Sequence, residues 1–112
     1  NNNDTTMYLL NTTFLINPTE YSWWAQWMKQ TYIPQIEKAC NDESLTSEVR
    51  IFKFDNQNTE KGELTFSCQW LCESISALSI IERLNRQLTS DLVKLKDENC
   101  LSFTTLMKET EL

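Results

Sequence analysis

Four stretches of the chain alternate between apolar and polar positions, and this alternation predicts four β-strands. They cover residues 7–17, 48–55, 63–71 and 100–108. A period of two places successive side chains on opposite faces of a sheet. In the first strand one face is mixed and the other is mainly apolar, and the mainly apolar set is Tyr8, Leu10, Thr12, Phe14 and Ile16.

Two other stretches repeat apolar residues every three or four positions, which predicts two amphipathic helices. The first opens at Pro18 and is expected to run to about residue 31. Ile33 and Pro34 are then expected to kink or end it, because proline removes a backbone donor and its ring clashes with the preceding turn. Residues 35–47 are then expected to form a polar connection with at most one helical turn. The second helix covers about residues 75–97.

The element order β-α-β-β-α-β predicts a ferredoxin-like α+β fold, in which a four-stranded antiparallel sheet carries two helices on one face. Residues 7–112 are expected to form this single domain, and the polar residues 1–6 a disordered N-terminal segment. Residues 56–62 are expected to form a hairpin loop in which Gly62 takes a left-handed conformation.

Composition and charge exclude several classes of function. The formal net charge is −6 and the Lys and Arg residues are not clustered, so no nucleic-acid partner is expected. No apolar run approaches the roughly 20 residues that a membrane span requires, so no membrane partner is expected and the cytoplasm is the expected location. A single glycine argues against a glycine-rich phosphate loop.

The chain lacks the residues of common metal and catalytic sites. It has no His, and its four Cys are isolated from one another, so neither a metal nor a cofactor is expected. The thiols are expected to be free and partly buried. A general base would have to be a Tyr with a lowered pKa or a carboxylate with a raised one, and Tyr32 and Glu73 are the remaining candidates. We therefore assign no catalytic residue, and the sequence favours a protein that is not an enzyme.

The sheet face without helices is expected to mix hydroxyl and amide side chains with a few apolar ones. The predicted members of this face are Asn11, Thr13, Leu15, Thr65, Ser67, Gln69, Ser102, Thr104 and Leu106. Such a face either stays in water or meets the same face of a second copy. We expect the second outcome, a homodimer in which two sheets close a dimeric α+β barrel around a central cavity.

A cavity of this kind would hold a small molecule. Arg50 belongs to it only if the register of the second strand turns that residue inward, because a shift of one residue reverses the face. Trp23, Tyr32 and Leu71 are expected at its rim. The candidate ligand-binding residues are Asn11, Thr13, Tyr32, Arg50 and Gln69.

Three other functions stay open at this point. The first is a structural role, in which the polar side chains of the sheet face serve only as hydrogen-bonding partners within and between subunits, with no ligand. Analogy with similar folds allows a cofactor-independent enzyme of the oxygenase or isomerase type. Trp23, at the polar edge of the first helix, allows a protein-interaction module, because large aromatic residues often anchor interfaces.

Four segments together resemble a known family. They read LLNTTFLI, WWAQWMKQTYIPQI, LTFSCQWLCES and CLSFTTLMKE, and the resemblance covers nearly all of residues 8–109. The family is that of domain of unknown function 4286, whose members are small bacterial proteins of the Bacteroidetes type. The resemblance implies a layout similar to dimeric α+β barrel proteins, and it brings no agreed activity.

Overall fold

A computed structural model describes residues 6–55 and 62–112 of the chain. Its four-stranded sheet has the strand order β2-β3-β1-β4, and every neighbouring pair is antiparallel. This arrangement confirms the predicted ferredoxin-like α+β fold. The strands are β1 (Tyr8–Ile16), β2 (Glu48–Lys53), β3 (Leu64–Cys72) and β4 (Cys100–Lys108).

The first helical segment is longer than predicted. It consists of a 3₁₀ turn (Pro18–Glu20), α1 (Tyr21–Trp27), a π-helical turn (Met28–Tyr32) and α2 (Ile33–Asp42). The expectation that the helix runs only to about residue 31 and that residues 35–47 form a polar connection was therefore wrong. The Ile33 amide bonds to the Met28 carbonyl, five residues back, and the proline lies in the first turn of α2. Its missing N–H costs little there, because the widened turn has already broken the regular ladder.

The second helix, α3 (Ile75–Lys96), agrees with the prediction. The hydroxyl of Ser74 caps it by accepting a hydrogen bond from the Ala77 amide at 3.1 Å. Its buried stripe contains one polar residue, Asn85, among apolar side chains. A short 3₁₀ turn (Asp97–Asn99) then leads into β4.

The helices cover one face of the sheet. On that face of β1, Leu10, Phe14 and Ile16 are fully buried. They pack with side chains from β3, β4 and the helices into one core, which includes Trp24, Met28, Ile36, Phe66, Trp70, Ile81 and Leu92.

The face assignment of β4 was wrong. Ser102, Thr104 and Leu106 were expected on the uncovered face, but Thr104 pairs with Thr12, whose side chain points toward the helices. Alternation separates a strand into two sets of side chains without saying which set faces the helices, and the pairing register decides that. The uncovered set of β4 consists of Leu101, Phe103, Thr105 and Met107.

Two predictions fall largely on residues that the structure does not describe. These are residues 1–5 of the expected N-terminal segment and residues 56–61 of the expected hairpin loop. Gly62, the last residue of that loop, has a φ of 70°, the left-handed conformation that was predicted.

The four cysteines are free and belong to the core. Burial raises the pKa of Cys68 to about 12, and it raises those of Cys72 and Cys100 to about 11. Burial also raises the pKa of Cys40. These thiols stay protonated at neutral pH, so they pack as small apolar side chains and not as nucleophiles.

The buried thiols predict that stability is lost in alkaline solution. Unfolded cysteines release their protons at about pH 8.5, so the folded chain holds more protons than the unfolded chain above that pH. Below about pH 8.5 the thiols are protonated in both states, so the free energy of unfolding should not change with their ionisation. It should fall by up to about 1.4 kcal/mol per thiol and pH unit as the pH rises toward the folded pKa values.

Urea unfolding followed by Trp fluorescence, at about pH 7.5 and about pH 10, measures this loss. The matched control is Cys68→Ala, which removes the thiol with the highest pKa and should make the alkaline loss shallower. Equal losses in the two proteins would contradict the assignment.

Candidate functional site

The sheet face that no helix covers is the candidate functional site, and we call it the open face. It runs across all four strands in rows fixed by the pairing register. Its members are Leu9, Asn11, Thr13, Leu15, Glu48, Arg50, Phe52, Thr65, Ser67, Gln69, Leu71, Leu101, Phe103, Thr105 and Met107.

The centre of the open face is a chain of hydrogen-bonded polar side chains. Gln69 Nε2 donates to Ser67 Oγ at 3.1 Å, and Ser67 in turn donates to Asn11 Oδ1. Asn11 Nδ2 donates to Thr13 Oγ1 at 3.2 Å. Only 7% of Thr13 and 9% of Ser67 is exposed, although no helix lies over them. Part of their hydrogen-bonding capacity is thus used within the sheet, which lowers the cost of covering this face.

Apolar side chains surround this polar centre. Phe52 on β2 is 50% exposed, and Phe103 on β4 is 57% exposed. Leu101 and Met107 extend the exposed apolar surface along β4. Exposed apolar side chains in this number mark the open face as a candidate interaction site.

A depression of ≈ 210 Å³ lies at one end of the open face. Leu9 and Leu71 give it apolar walls, while Glu48, Arg50 and Gln69 complete its lining. The register places Arg50 beside Gln69 on this face, which answers the question that the sequence left open. Arg50 Nη2 lies 3.0 Å from Glu48 Oε2, so the charge of the guanidinium is offset within the depression.

The structure brings together four of the five candidate ligand-binding residues. Asn11, Thr13, Arg50 and Gln69 share the open face. Tyr32 does not join them, because its side chain is fully buried on the helix side of the sheet. The expectation that Tyr32 lies at the rim of a cavity on the mixed face was therefore wrong.

Trp23 is also removed from the open face. It is half-buried on α1, stacks on Trp27 with ring centroids 6.3 Å apart, and packs against the core. The Lys96 ammonium lies 4.4 Å from the centre of its ring and pairs with Glu20 at 2.9 Å. Trp23 is thus partly covered by its own chain, through stacking on Trp27 and a cation–π contact with Lys96.

Sequence reasoning missed a second polar cluster, the buried polar network, which lies on the helix side. Asn85 Oδ1 accepts hydrogen bonds from the Tyr32 hydroxyl at 2.5 Å and the Thr12 hydroxyl at 3.0 Å. Asn85 Nδ2 donates to Thr104 Oγ1 at 3.0 Å, and Trp70 Nε1 donates to the Tyr32 oxygen at 3.2 Å. The signal in the sequence was Asn85, the single amide in the apolar stripe of the second helix, which follows Ile81 by four positions and precedes Leu88 by three.

The electrostatics of Tyr32 argue against a catalytic role. Burial raises its pKa well above the ordinary value, and the nearby Cys68 raises it further. A phenol that serves as a general base needs the opposite shift.

Neither a cluster of metal ligands nor a membrane-spanning helix is found in the described ranges. They contain no group of three or more Cys, Asp or Glu side chains placed to hold a metal ion. None of their helices is both long and apolar enough to cross a membrane.

Comparison with known proteins identifies a family and a fold. The family model described as "Domain of unknown function (DUF4286)" matches residues 7–110. No curated protein matches the chain significantly.

Similar solved structures include two designed proteins. The de novo designed protein Foldit4 is 17% identical, with a TM-score of 0.51, and the match covers 96% of this chain and 99% of that one. The de novo designed protein LFR1 1 with ferredoxin fold is 15% identical, with a TM-score of 0.52, covering 94% and 87%. At these identities the likeness shows the fold alone.

A third similar structure is a putative aminohydrolase from methicillin resistant Staphylococcus aureus. It is 12% identical with a TM-score of 0.51, and the match covers 95% of this chain and 29% of that one. The chain therefore corresponds to less than a third of that protein, and the shared fold carries no activity with it.

The buried polar network predicts a measurable cost for removing one hydroxyl. Tyr32→Phe leaves the Trp70 indole N–H without its acceptor and removes one of the two donors to Asn85. We expect the free energy of unfolding to fall by about 1–3 kcal/mol in urea titrations, because buried polar groups lose their partners. Tyr21→Phe is the control, since that ring is 41% exposed, and it should change stability by less than about 0.5 kcal/mol. Equal effects of the two substitutions would show that the network contributes nothing.

Proposed function

Because this chain belongs to the DUF4286 family, whose function is unknown, we propose a function from its own geometry: it is a homodimeric small-molecule-binding protein whose two open faces close around the ligand. The observation that carries the proposal is the open face itself. Its polar centre is already hydrogen-bonded, while its apolar surround, with Phe52 and Phe103, is half exposed. Covering such a surface is favourable, by roughly 25 cal/mol for each Å² of apolar area removed from water.

The distribution of charge favours a second copy of the same chain as the partner that buries the open face. The molecule has a formal net charge of −6, so two copies repel each other over most of their surfaces. The four strands place only two charged residues on the open face, Glu48 and Arg50, and these form an ion pair. The open face is therefore a neutral surface through which two acidic molecules can approach each other.

The ligand is expected in the depression near Gln69. Ligand pockets for drug-sized molecules begin at about 300 Å³, so the ≈ 210 Å³ on one subunit becomes a full pocket only when the second sheet closes it. Leucine walls and an internally neutralised Arg50 favour a small, neutral, planar molecule. The Gln69 amide supplies a polar contact that can orient such a molecule.

The alternatives find less support. An enzyme without cofactor needs a base, and Tyr32 is a buried phenol with a raised pKa on the wrong side of the sheet. A protein-interaction module built on Trp23 needs that ring exposed, and Lys96 and Trp27 already cover part of it.

The dimer predicts a strong effect of charge at the edge of the open face. Phe103→Glu places two like charges in an apolar contact, and we expect the dimer dissociation constant to rise at least about hundredfold. Sedimentation velocity over a concentration series measures the change. Ile75→Glu is the matched control, because Ile75 is 64% exposed on α3 and lies away from the open face, so its dimer should persist. Dimers of both variants, or monomers of both, would contradict the proposed interface.

The pocket predicts that binding depends on closure. With ¹⁵N-labelled protein, we expect indole and benzamide to shift the Gln69 side-chain amide in the native protein and in the Ile75→Glu variant. The Phe103→Glu variant should bind them at least about tenfold more weakly, because only half of the pocket remains. A dimer that shows no saturable shift at Gln69 would agree with the proposed interface and contradict the proposed ligand site.

A further inference from the structure

A second cavity lies on the opposite side of the sheet, in the groove between α3 and β4. It measures ≈ 230 Å³ and is lined by Leu10, Glu82, Asn85, Arg86, Thr89, Thr104 and Leu106. We infer that this groove is a separate binding site for a small monocarboxylate with an apolar tail, held by the Asn85 amide and the Arg86 guanidinium. Because the groove is on the helix side, it stays accessible when two open faces meet.

The hydrogen bonds of the buried polar network fix the orientation of the Asn85 amide. Trp70 Nε1 can only donate, and it donates to the Tyr32 oxygen. The Tyr32 and Thr12 hydroxyls both donate to Asn85, and the atom that accepts from them is its carbonyl oxygen. The nitrogen of the same amide consequently lies on the side of Thr104, which lines the groove.

One hydrogen of this amide is left for a ligand. The nitrogen carries two hydrogens, and within the described ranges the protein uses one of them, in the bond to Thr104 Oγ1. Asn85 is 2% exposed, so the remaining donor is largely withdrawn from water. A withdrawn donor that lines a groove is satisfied best by an acceptor atom in that groove.

The amide is held rigidly, as a binding group must be. Tyr32 comes from the π-helical turn, Thr12 from β1 and Thr104 from β4, so three elements hold the Asn85 side chain of α3 in one position. An aliphatic side chain would fill this place in the stripe of α3 without needing any of these partners. π-Helical turns and fully connected polar networks are both frequent at sites that have to be preorganised.

The rim of the groove selects the charge of the ligand. Arg86 is exposed beside Asn85, and its planar fork matches the two oxygens of a carboxylate. Glu82 lies one helical turn from Arg86 and repels anionic groups, so a ligand with a single negative charge is favoured over dicarboxylates and phosphate. Leu10 and Leu106 supply apolar surface for an alkyl chain, and Leu106 is 45% exposed until such a chain covers it.

Hexanoate is a suitable probe, and ¹⁵N-labelled full-length chain reports where it binds. We expect saturable shifts of the Asn85 side-chain amide and the Leu106 backbone amide with a Kd on the order of 1 mM, as suits a ligand of this size. Hexan-1-ol, which has the same chain without the carboxylate, should bind at least about tenfold more weakly.

Two arginine variants separate a site from general attraction. Arg86→Gln should weaken hexanoate binding about tenfold or more, because it removes the charge-assisted contact. Arg83→Gln makes the same charge change on the same helix outside the groove and should leave the Kd unchanged. Equal weakening by both, saturable shifts at Gln69 instead of Asn85, or no saturation up to about ten times the expected Kd would each overturn the inference. The Phe103→Glu variant should bind hexanoate normally, so a failure of the dimer and a failure of this site are distinguishable.

Discussion

The structure depends on a simple constraint: two helical segments cover one face of a four-stranded sheet and leave the other face uncovered. A sheet has two faces, and each must be either buried or compatible with water. On the helix side the chain buries a continuous core in which Phe14, Tyr32 and Trp70 pack together. No helix covers the other side, so the side chains of the open face determine what can bind there.

The pairing register between β1 and β4 determines which side chains lie on each face of the sheet. Placing Thr12 opposite Thr104 directs these hydroxyls toward Asn85 and completes the buried polar network. The same register turns Thr13 and Phe103 outward, where they form part of the open face. A shift of one residue in β4 would therefore remove a partner from the network and place polar side chains where the apolar surround now lies. The polar network thus helps to specify the surface through which we propose that the chain pairs with a second copy.

Local patterns were sufficient to predict the four strands, the helix α3 and the fold. The alternation of β1 and the 3–4 spacing of α3 both reflect interactions within one element, and both appear in the structure as expected. Pro34 misled the prediction because its effect depends on the turn before it, and a π-helical turn is not visible in a hydrophobic pattern. The faces of β4, the position of Arg50 on the open face and the partners of Asn85 depend on register and tertiary packing, which a single sequence does not encode locally. Tyr32 was expected at the rim of a cavity on the mixed face, whereas the helical segment continues past it and its phenol is buried in the core.

The most direct test of the proposed dimer is an isotope-filtered NMR measurement on a mixture of ¹³C-labelled and unlabelled chains. It detects contacts only between different copies. The proposed interface predicts contacts from the Phe52 and Phe103 rings and the Met107 methyl group to open-face residues of the second copy. If no contact between copies is found, or if the contacts involve α3 and not the open face, the open face is not where the protein pairs with itself.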